Sequence, residues 1–471
     1  MFHQPNPETT EIISRLDETP EGRRVRDVAA ALRELGGRAV LVGGAVRDGL
    51  LGLPVKDLDV EVFGIDLSTL RSVLNDYGKV SSVGQSFGVL MIHGLDVDFS
   101  LPRRDSKVAE GHRGFDIEFD PSLSFEAAAR RRDLTVNAMG IDLESLEFLD
   151  PFGGREDLAS GRLQATDPST FGEDPLRGLR VAQMAGRFCM RVDPALNELC
   201  AGLDLSELPG ERVHEEFRKL LLKGREPSRG FAFLKESRLL RFFPELAALV
   251  DVPQDAVWHP EGDVWVHTLL CLDAAVAMRD GVGADAEALM FGVLCHDFGK
   301  PVTTETIDGR IRSLGHDQAG SLLTRSFLEN MRASTALIER TTALVEQHLA
   351  PALLTEQGAK PKAYRRLARK LSSAGVTMQL LERVARADHF GRTTEDAVAL
   401  QFPAGDQFLE QADALEISTE GPSDVVQGRH LIARGHEPSP RFGEILDRCR
   451  EVQDETGLRD PDAILAIIDP R

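Results

Sequence analysis

The chain has 471 residues, 42% of them hydrophobic, and a formal net charge of −21. That length exceeds a single hydrophobic core and predicts several domains, while the charge argues against indiscriminate binding of polyanions and no apolar run of about 18 residues is present to span a membrane. Five scattered cysteines (Cys189, Cys200, Cys271, Cys295, Cys449) form no CxxC pair, which argues against a disulfide framework or a zinc ribbon and suits a reducing cytoplasm.

In chain order, the opening MFHQPNPETTEII lacks a basic region followed by an apolar stretch, so no secretory signal is expected. Residues 21–36 (EGRRVRDVAAALRELG) carry apolar residues at helical spacing, closed by Gly36 and Gly37, which predicts a helix; residues 1–36 read as an N-terminal extension. RAVLVGG, from Arg38, reads as a strand ending in a turn, and AVRDGLLGL as the helix it feeds. LDVEVFG is a second strand, and VLMIHGLDVDFSL (89–101) a third with a glycine break inside it. A helix then gives way to a short strand pair in IDLESLEFLDPFGG. From about residue 156 the pattern is nearly all helical, punctuated by Pro and Gly near 207–210, 251–262 and 420–440. The expected class is α+β: a small head over 37–155 with a mixed sheet and helices, followed by an all-α remainder.

The stretch LVGGAVRDGLLGLPVKDLDVEVFG (41–64) carries the first chemistry. Strand alternation puts Asp57, Asp59 and Glu61 on one face and Leu58, Val60 and Val62 on the other. Two carboxylates roughly 6–7 Å apart at Cα can hold one or two hard divalent cations, and the third strand offers Asp96 and Asp98 with the same alternation, so Asp98 can complete the cluster. A polar, solvent-facing sheet edge is the alternative. Gly43-Gly44 just upstream can present backbone N–H groups to phosphate oxygens, and Arg47 adds a charged donor.

With GGAVRD followed by KDLD, the chain resembles the head of the class II tRNA nucleotidyltransferases, the CCA-adding enzymes, which share their fold with bacterial poly(A) polymerases. DFSLPRRD (98–105) resembles that family's metal strand and the flexible loop beginning at Arg103. RRDLTVNAM, from Arg131, resembles its ribose-recognition motif, and EDPLRGLR (173–180) its base-recognition motif. The resemblance covers roughly residues 38–225. It implies Mg²⁺ at Asp57 and Asp59, catalysis by these with Asp98, and nucleotide contacts from Gly43, Gly44, Arg47, Asp48, Arg103, Arg131, Arg132, Asp133, Asp174, Arg177 and Arg180.

The chemistry of these residue types agrees. Asp174 and Arg177 lie three apart, on one helix face. Adenine and cytosine each present an amino donor beside a ring-nitrogen acceptor, which a carboxylate and a guanidinium satisfy together. Guanine and uracil have the opposite polarity and leave both protein groups unpaired. Asp174 can equally cap a helix whose first residue is Pro175, and the two roles are compatible. Asp133 offers acceptors to a ribose hydroxyl, and Arg131 and Arg132 suit a triphosphate; a basic helix end is their plainer reading.

In the helical half, HPEGDVWVHTLL (259–270) supplies His267 and LMFGVLCHDFGKP (289–301) supplies His296 and Asp297. With Asp388 in ARADHFGR, this order resembles the HD family of metal-dependent phosphohydrolases. It implies a divalent transition metal on His267, His296, Asp297 and Asp388, with His316 and His348 as further ligands or as lining of a phosphate pocket. A subset of bacterial CCA-adding enzymes carries such a domain, associated there with 2′,3′-cyclic phosphodiesterase and phosphatase activities. The implied divisions are a neck over 156–250, the HD domain over 251–395 and a helical, RNA-docking tail over 396–471, where Pro438-Ser439-Pro440 replaces the family's Pro-Gly-Pro. KPKAYRRLARK (360–370), with Lys360, Lys362, Arg365, Arg366, Arg369 and Lys370, is a candidate tRNA-backbone contact or a solvated helix face.

The expected function is template-independent addition of C, C and A to the tRNA 3′ end from CTP and ATP in the cytoplasm, with a phosphohydrolase in the HD half. The alternatives are a CC-only or A-only enzyme, a poly(A) polymerase, and a phosphohydrolase with a non-catalytic nucleotide- or RNA-binding head. The stretch from Arg103 to Arg113 leans towards full CCA addition. The acidic end EVQDETGLRDPD and the HD signature lean away from the polymerase.

Overall fold

The computed structural model describes residues 7–55, 57–83, 88–107 and 115–468. Lys56 and part of the stretch from Arg103 to Arg113 therefore lie outside the described residues. The chain folds as two compact units, Met1–Leu208 with Glu236–Leu239, and Pro209–Lys235 with Leu240–Arg471.

The first unit is built on a seven-stranded sheet. Its strands are β1 (Arg38–Val42), β2 (Leu58–Phe63), β3 (Val80–Val83), β4 (Val89–Ile92), β5 (Val97–Ser100), β8 (Gly140–Asp142) and β9 (Phe148–Leu149), in the order β3-β4-β5-β2-β1-β8-β9. Between β5 and β8, strands β6 (Arg103–Lys107) and β7 (Phe115–Phe119) form a separate antiparallel ribbon. The β2–β5 pair is parallel and the other pairs are antiparallel, so the sheet is mixed as expected. The predicted third strand is instead two, β4 and β5, because Gly94 at φ +83° and the Leu95 amide bonded to the Ile92 carbonyl turn the chain back on itself.

Strand alternation decides what each face does. Leu41, Val60 and Val62 face a layer containing Val25, Val28 and Leu32 of helix α2 (Pro20–Glu34). Each contributes about 1.5–3 kcal/mol by leaving water. Val40, Val42 and Phe63 face the other way, against Phe125, Ala128 and Ala129; Asp59 and Glu61 share that second face. Helix α2 starts where Thr19 accepts the Gly22 amide at 3.0 Å and Pro20 occupies the first turn, and it stops ahead of Gly36 at φ +82°. Helix α1 (Pro7–Asp17) buries Ile12, Ile13 and Leu16 in the same core. Residues 7–34 are thus built into the head rather than appended to it.

Among the described residues the second unit is helical, apart from a ribbon of Thr304–Ile307 with Arg310–Ser313. Five of its helices carry the histidines and acids of the HD pattern on or beside them: Val264–Val276, Ala284–Cys295, His316–Asn330, Thr335–Gln347 and Met378–Phe390. The last stretch has a small core of its own, in which Val426, Leu431, Cys449, Ile464 and Leu465 are buried.

Candidate functional site

In the head, the site grows from the turn after β1. Gly43 adopts φ +70°, and a Cβ there would lie 2.9 Å from Arg132 Nη1 and 3.6 Å from Asp59 Oδ2. Only glycine brings backbone, guanidinium and carboxylate this close. Register then assembles the acids: Val42 pairs with Asp59, and Asp59 with Asp98 on the parallel neighbour β5. Asp57 departs from its expected place, because the strand begins at Leu58 and Asp57 sits in a left-handed turn at φ +55°. The turn, not strand alternation, therefore sets the direction of its side chain.

Partial burial raises Asp59 to about 6, against the pull of Arg132 and with help from the charges of Asp98, Asp57 and Glu61. Burial and the charges of Asp57 and Asp96 raise Asp98 as well. Carboxylates crowded in this way are short of positive charge, and hard oxygen donors suit a divalent cation. The sign of the resulting pH dependence follows. Asp59 binds its proton more tightly folded than unfolded, so its contribution to stability is lost as pH rises from about 4 through about 6. Mg²⁺ is expected to raise the melting temperature more at pH 7.5 than at pH 5, and the excess is expected to vanish in Asp59→Asn. Thermal unfolding at the two pH values checks this; an equal Mg²⁺ shift at both would count against it.

Glu61, named only for its face, sits fully buried, with Arg131 at 2.9 Å and Arg132 at 3.6 Å. It anchors the two arginines beside the glycine turn. Arg47 differs from its expected role: its guanidinium is buried, bonded to Asp48 and to Asn137 Oδ1 at 2.5 Å, and stacked on Phe188. Asp48 in turn receives Arg187 at 2.9 Å. This pair braces the first helical turn from behind instead of extending a donor outward. Arg103 stands at the start of β6, so the predicted flexible loop begins as a strand.

The base-recognition segment is tied to the same arginines. Arg177 donates to the Thr170 carbonyl at 3.0 Å and to the Arg131 carbonyl at 2.6 Å, and its guanidinium lies over Phe171. Asp174 accepts the Leu176 amide at 3.1 Å but stands ahead of the helix Leu176–Phe188 in extended backbone, with Pro175 at the N-cap, so it does not share a helix face with Arg177 as expected. Asp133 is buried, yet Arg180 at 2.6 Å, Asn137 and the Leu134 amide outweigh the desolvation and pull it down to about 2. Its acceptors are taken within the protein, which makes Asp133 a brace for Arg180.

In the helical unit all six predicted residues converge. His267, His296 and Asp388 form one donor set with Cys271; Asp297, His316 and His348 form another. The rings are oriented from behind. Nδ1 of His296, His316 and His348 lies 2.6–2.7 Å from the carbonyl three residues earlier. Those carbonyls only accept, so each Nδ1 carries the proton and each Nε2 is left as an acceptor. Acceptors then face acceptors: His316 Nε2 and His348 Nε2 are 3.2 Å apart, and His296 Nε2 is 3.2 Å from Asp297 Oδ2. Between His316 and His348 a proton is a poor remedy, because burial and the neighbouring His316 and His296 push His348 down to about 4, whereas His296, against its burial, is raised by Asp297 and Asp388. A divalent ion ligated by imidazole and carboxylate resolves the conflict. Asp297 is also buried, but His296, Lys300 and His316 hold it well below the usual carboxylate range.

Sequence reasoning passed over the groups behind this centre. Glu261 Oε1 receives His267 Nδ1 at 2.8 Å and His259 Nδ1 at 2.9 Å, and Lys300 Nζ meets Asp297 at 2.7 Å. The HPE triplet ahead of the predicted helix was the available signal, but in a loop no periodicity marks it.

In the basic run at 360–370, the candidate RNA contact or solvated helix face, much of the charge is paired within the protein. Lys362 pairs with Glu455, Lys370 with Glu346 at 2.7 Å, and Arg369 with Asp424 and, at 2.9 Å, with Asp454. Arg365 donates to the Asp454 carbonyl at 2.9 Å. Lys360 and Arg366 are the exposed remainder, with Lys370 beside them. Arg369→Ala, which strands the buried Asp454, is expected to cost about 1–3 kcal/mol, read by urea unfolding; no loss would overturn the docking role.

Three family models match in chain order: the poly A polymerase head domain over residues 39–164, the probable RNA and SrmB-binding site of polymerase A over 195–249, and the HD domain over 264–416. A multifunctional CCA protein of Laribacter hongkongensis is 39% identical over 300 residues, 63% of this chain and 70% of that protein. One of Pasteurella multocida is 37% identical over 316 residues, 65% of this chain and 73% of that protein. Among solved structures, the Bacillus stearothermophilus CCA-adding enzyme in complex with CTP aligns with TM-score 0.66 and 20% identity, over 96% of this chain and 98% of that one. The Thermotoga maritima CCA-adding enzyme complexed with tRNA aligns with TM-score 0.59 and 18% identity, over 98% and 99%; these two likenesses speak for the fold alone. No described helix is long and apolar enough to cross a membrane. Identity at this level across more than two thirds of both named relatives makes the chain a member of the multifunctional CCA protein family.

Proposed function

We propose that the head adds C, C and then A to the 3′ end of tRNA, taking CTP and ATP and releasing pyrophosphate. The observation that carries this is the pairing of Asp59 with Asp98 beside the Gly43 turn and Arg132. In this reading Asp57, Asp59 and Asp98 hold Mg²⁺, which supplies activation of the RNA 3′-hydroxyl and neutralises charge on the leaving pyrophosphate. The Gly43 turn and Arg132 receive the triphosphate, with Arg131 held beside them by Glu61. Arg177 keeps N–H groups beyond those given to Thr170 and Arg131, and with Asp174 it reads the amino group and ring nitrogen shared by cytosine and adenine. No nucleic-acid template is needed for that choice. The names of the relatives at 37–39% identity, multifunctional CCA proteins, support this choice of product.

The helical unit is, in the same proposal, a phosphohydrolase acting on terminal phosphates. His267, His296, Asp297, His316, His348 and Asp388 would hold a divalent transition metal, which supplies an activated water and polarises the phosphoryl group. Lys300 and Glu261 fix the donors around it. Removing a terminal or cyclic phosphate restores the free 3′-hydroxyl that the head extends. Incubation with Mg²⁺ and a tRNA ending at the discriminator base tests the head. Incorporation of CTP and then ATP, stopping after three residues, supports the proposal. Long tails from ATP alone, or arrest after CC, would replace it.

A further inference from the structure

The phosphohydrolase cavity carries a large aromatic group that the protein's own packing leaves open. Of the two tryptophans in the chain, Trp265 is 3% exposed and Trp258 is 59% exposed. Trp258 lines a cavity of about 340 Å³ together with Asp297, His316, His348 and Asp388. A second cavity of similar volume, lined also by Leu349 and Phe402, shares the same indole. These volumes fall within the usual range of small-molecule sites, about 300–1,000 Å³.

The indole is not on a loose loop. Its amide bonds to the Asp255 carbonyl at 3.0 Å, as does that of His259 at 2.9 Å. His259 is held in turn by Glu261, the carboxylate that orients His267. Trp258 is thereby tied through two side chains to a donor of the metal centre. Lys300 and Arg392 line the same cavity. An aromatic face a short distance from cations and metal donors matches the two ends of a nucleotide, since a base stacks on an aromatic ring while its phosphate meets positive charge.

We infer that Trp258 is the base platform of this cavity, stacking on the base of a nucleotide whose phosphate faces the His–Asp donors. The inference rests on the phosphohydrolase reading and deepens it: Trp258 is the residue that favours phosphates carrying a base over small phosphoesters without one. Stacking of this kind is expected to change affinity by about ten- to a hundredfold.

Two measurements on the full chain, supplied with divalent metal, test it. In steady-state hydrolysis, Trp258→Ala should lower the ratio of kcat/KM for adenosine 2′,3′-cyclic phosphate to that for glycerol 2-phosphate at least tenfold, through KM, with Trp258→Phe restoring most of it. An unchanged ratio would overturn the inference, whether both substrates suffer equally or neither does. In a fluorescence titration, adenosine 3′-monophosphate should quench the native chain saturably, inorganic phosphate should not, and Trp258→Phe should abolish the effect. If the native chain hydrolyses neither substrate, the phosphohydrolase reading fails, and the titration alone decides the platform: saturable quenching sustains it and its absence ends it.

Discussion

Asp59→Ala is expected to reduce incorporation of CMP and AMP into tRNA by about a thousandfold or more while leaving phosphohydrolase turnover intact. The magnitude follows from position. Asp59 lies between its register partners Val42 and Asp98, against the glycine turn and Arg132, where metal-borne charge stabilisation in a transition state is worth several kcal/mol. Stability is expected to move the other way. With its proton held to about pH 6 by burial and neighbouring acids, the ionised carboxylate is unfavourable at neutral pH. Its removal should leave the melting temperature of the metal-free chain unchanged or higher. Primer-extension rates and thermal unfolding of the same preparation test both halves. Retained incorporation would remove Asp59 from the reaction. Lost incorporation with a collapsed melting temperature would make it structural.

Asp297→Asn is expected to do the reverse: phosphohydrolase turnover falls by about a thousandfold, bound transition metal is lost, and tRNA extension continues. Asp297 is buried and faces His296 at 3.2 Å, His316 at 3.5 Å and Lys300 at 2.7 Å. Without its charge Lys300 is left as a buried cation without a counter-ion, a change that costs about 3 kcal/mol in comparable sites. The variant should therefore be less stable as well as inactive in hydrolysis, and added metal should no longer raise its melting temperature. Metal analysis, hydrolysis of a cyclic nucleotide and primer extension on one preparation separate the outcomes. Full metal content with normal hydrolysis would exclude Asp297 from the centre.

Legibility differed residue by residue. The faces of β2 were readable because alternation is a property of neighbouring residues: Val60 and Val62 went to the core, and Asp59 and Glu61 to the opposite face. The HD donors were readable as a pattern in order. Arg47 was not, since nothing nearby in sequence says that Asn137 and Phe188 will be beside it. The partners of the basic helix were not readable either, for the same reason. Its charge was plain, but the acids that answer it, Asp424, Asp454 and Glu455, arrive from the tail.

By itself, then, the sequence determined everything whose cause acts within a few residues: the capped helix over Pro20–Glu34, the positive-φ turn at Gly43, the apolar and acidic faces of the second strand, and the motif order that points to nucleotidyl transfer beside an HD domain. Tertiary structure alone decided the exact partners: the parallel register that sets Asp98 beside Asp59, Glu261 behind His267, and acceptor nitrogens turned towards one another. The physical reason is that backbone dihedrals and side-chain periodicity are fixed locally, whereas the partner of a charge or a lone pair is chosen by chain closure and packing over the whole fold.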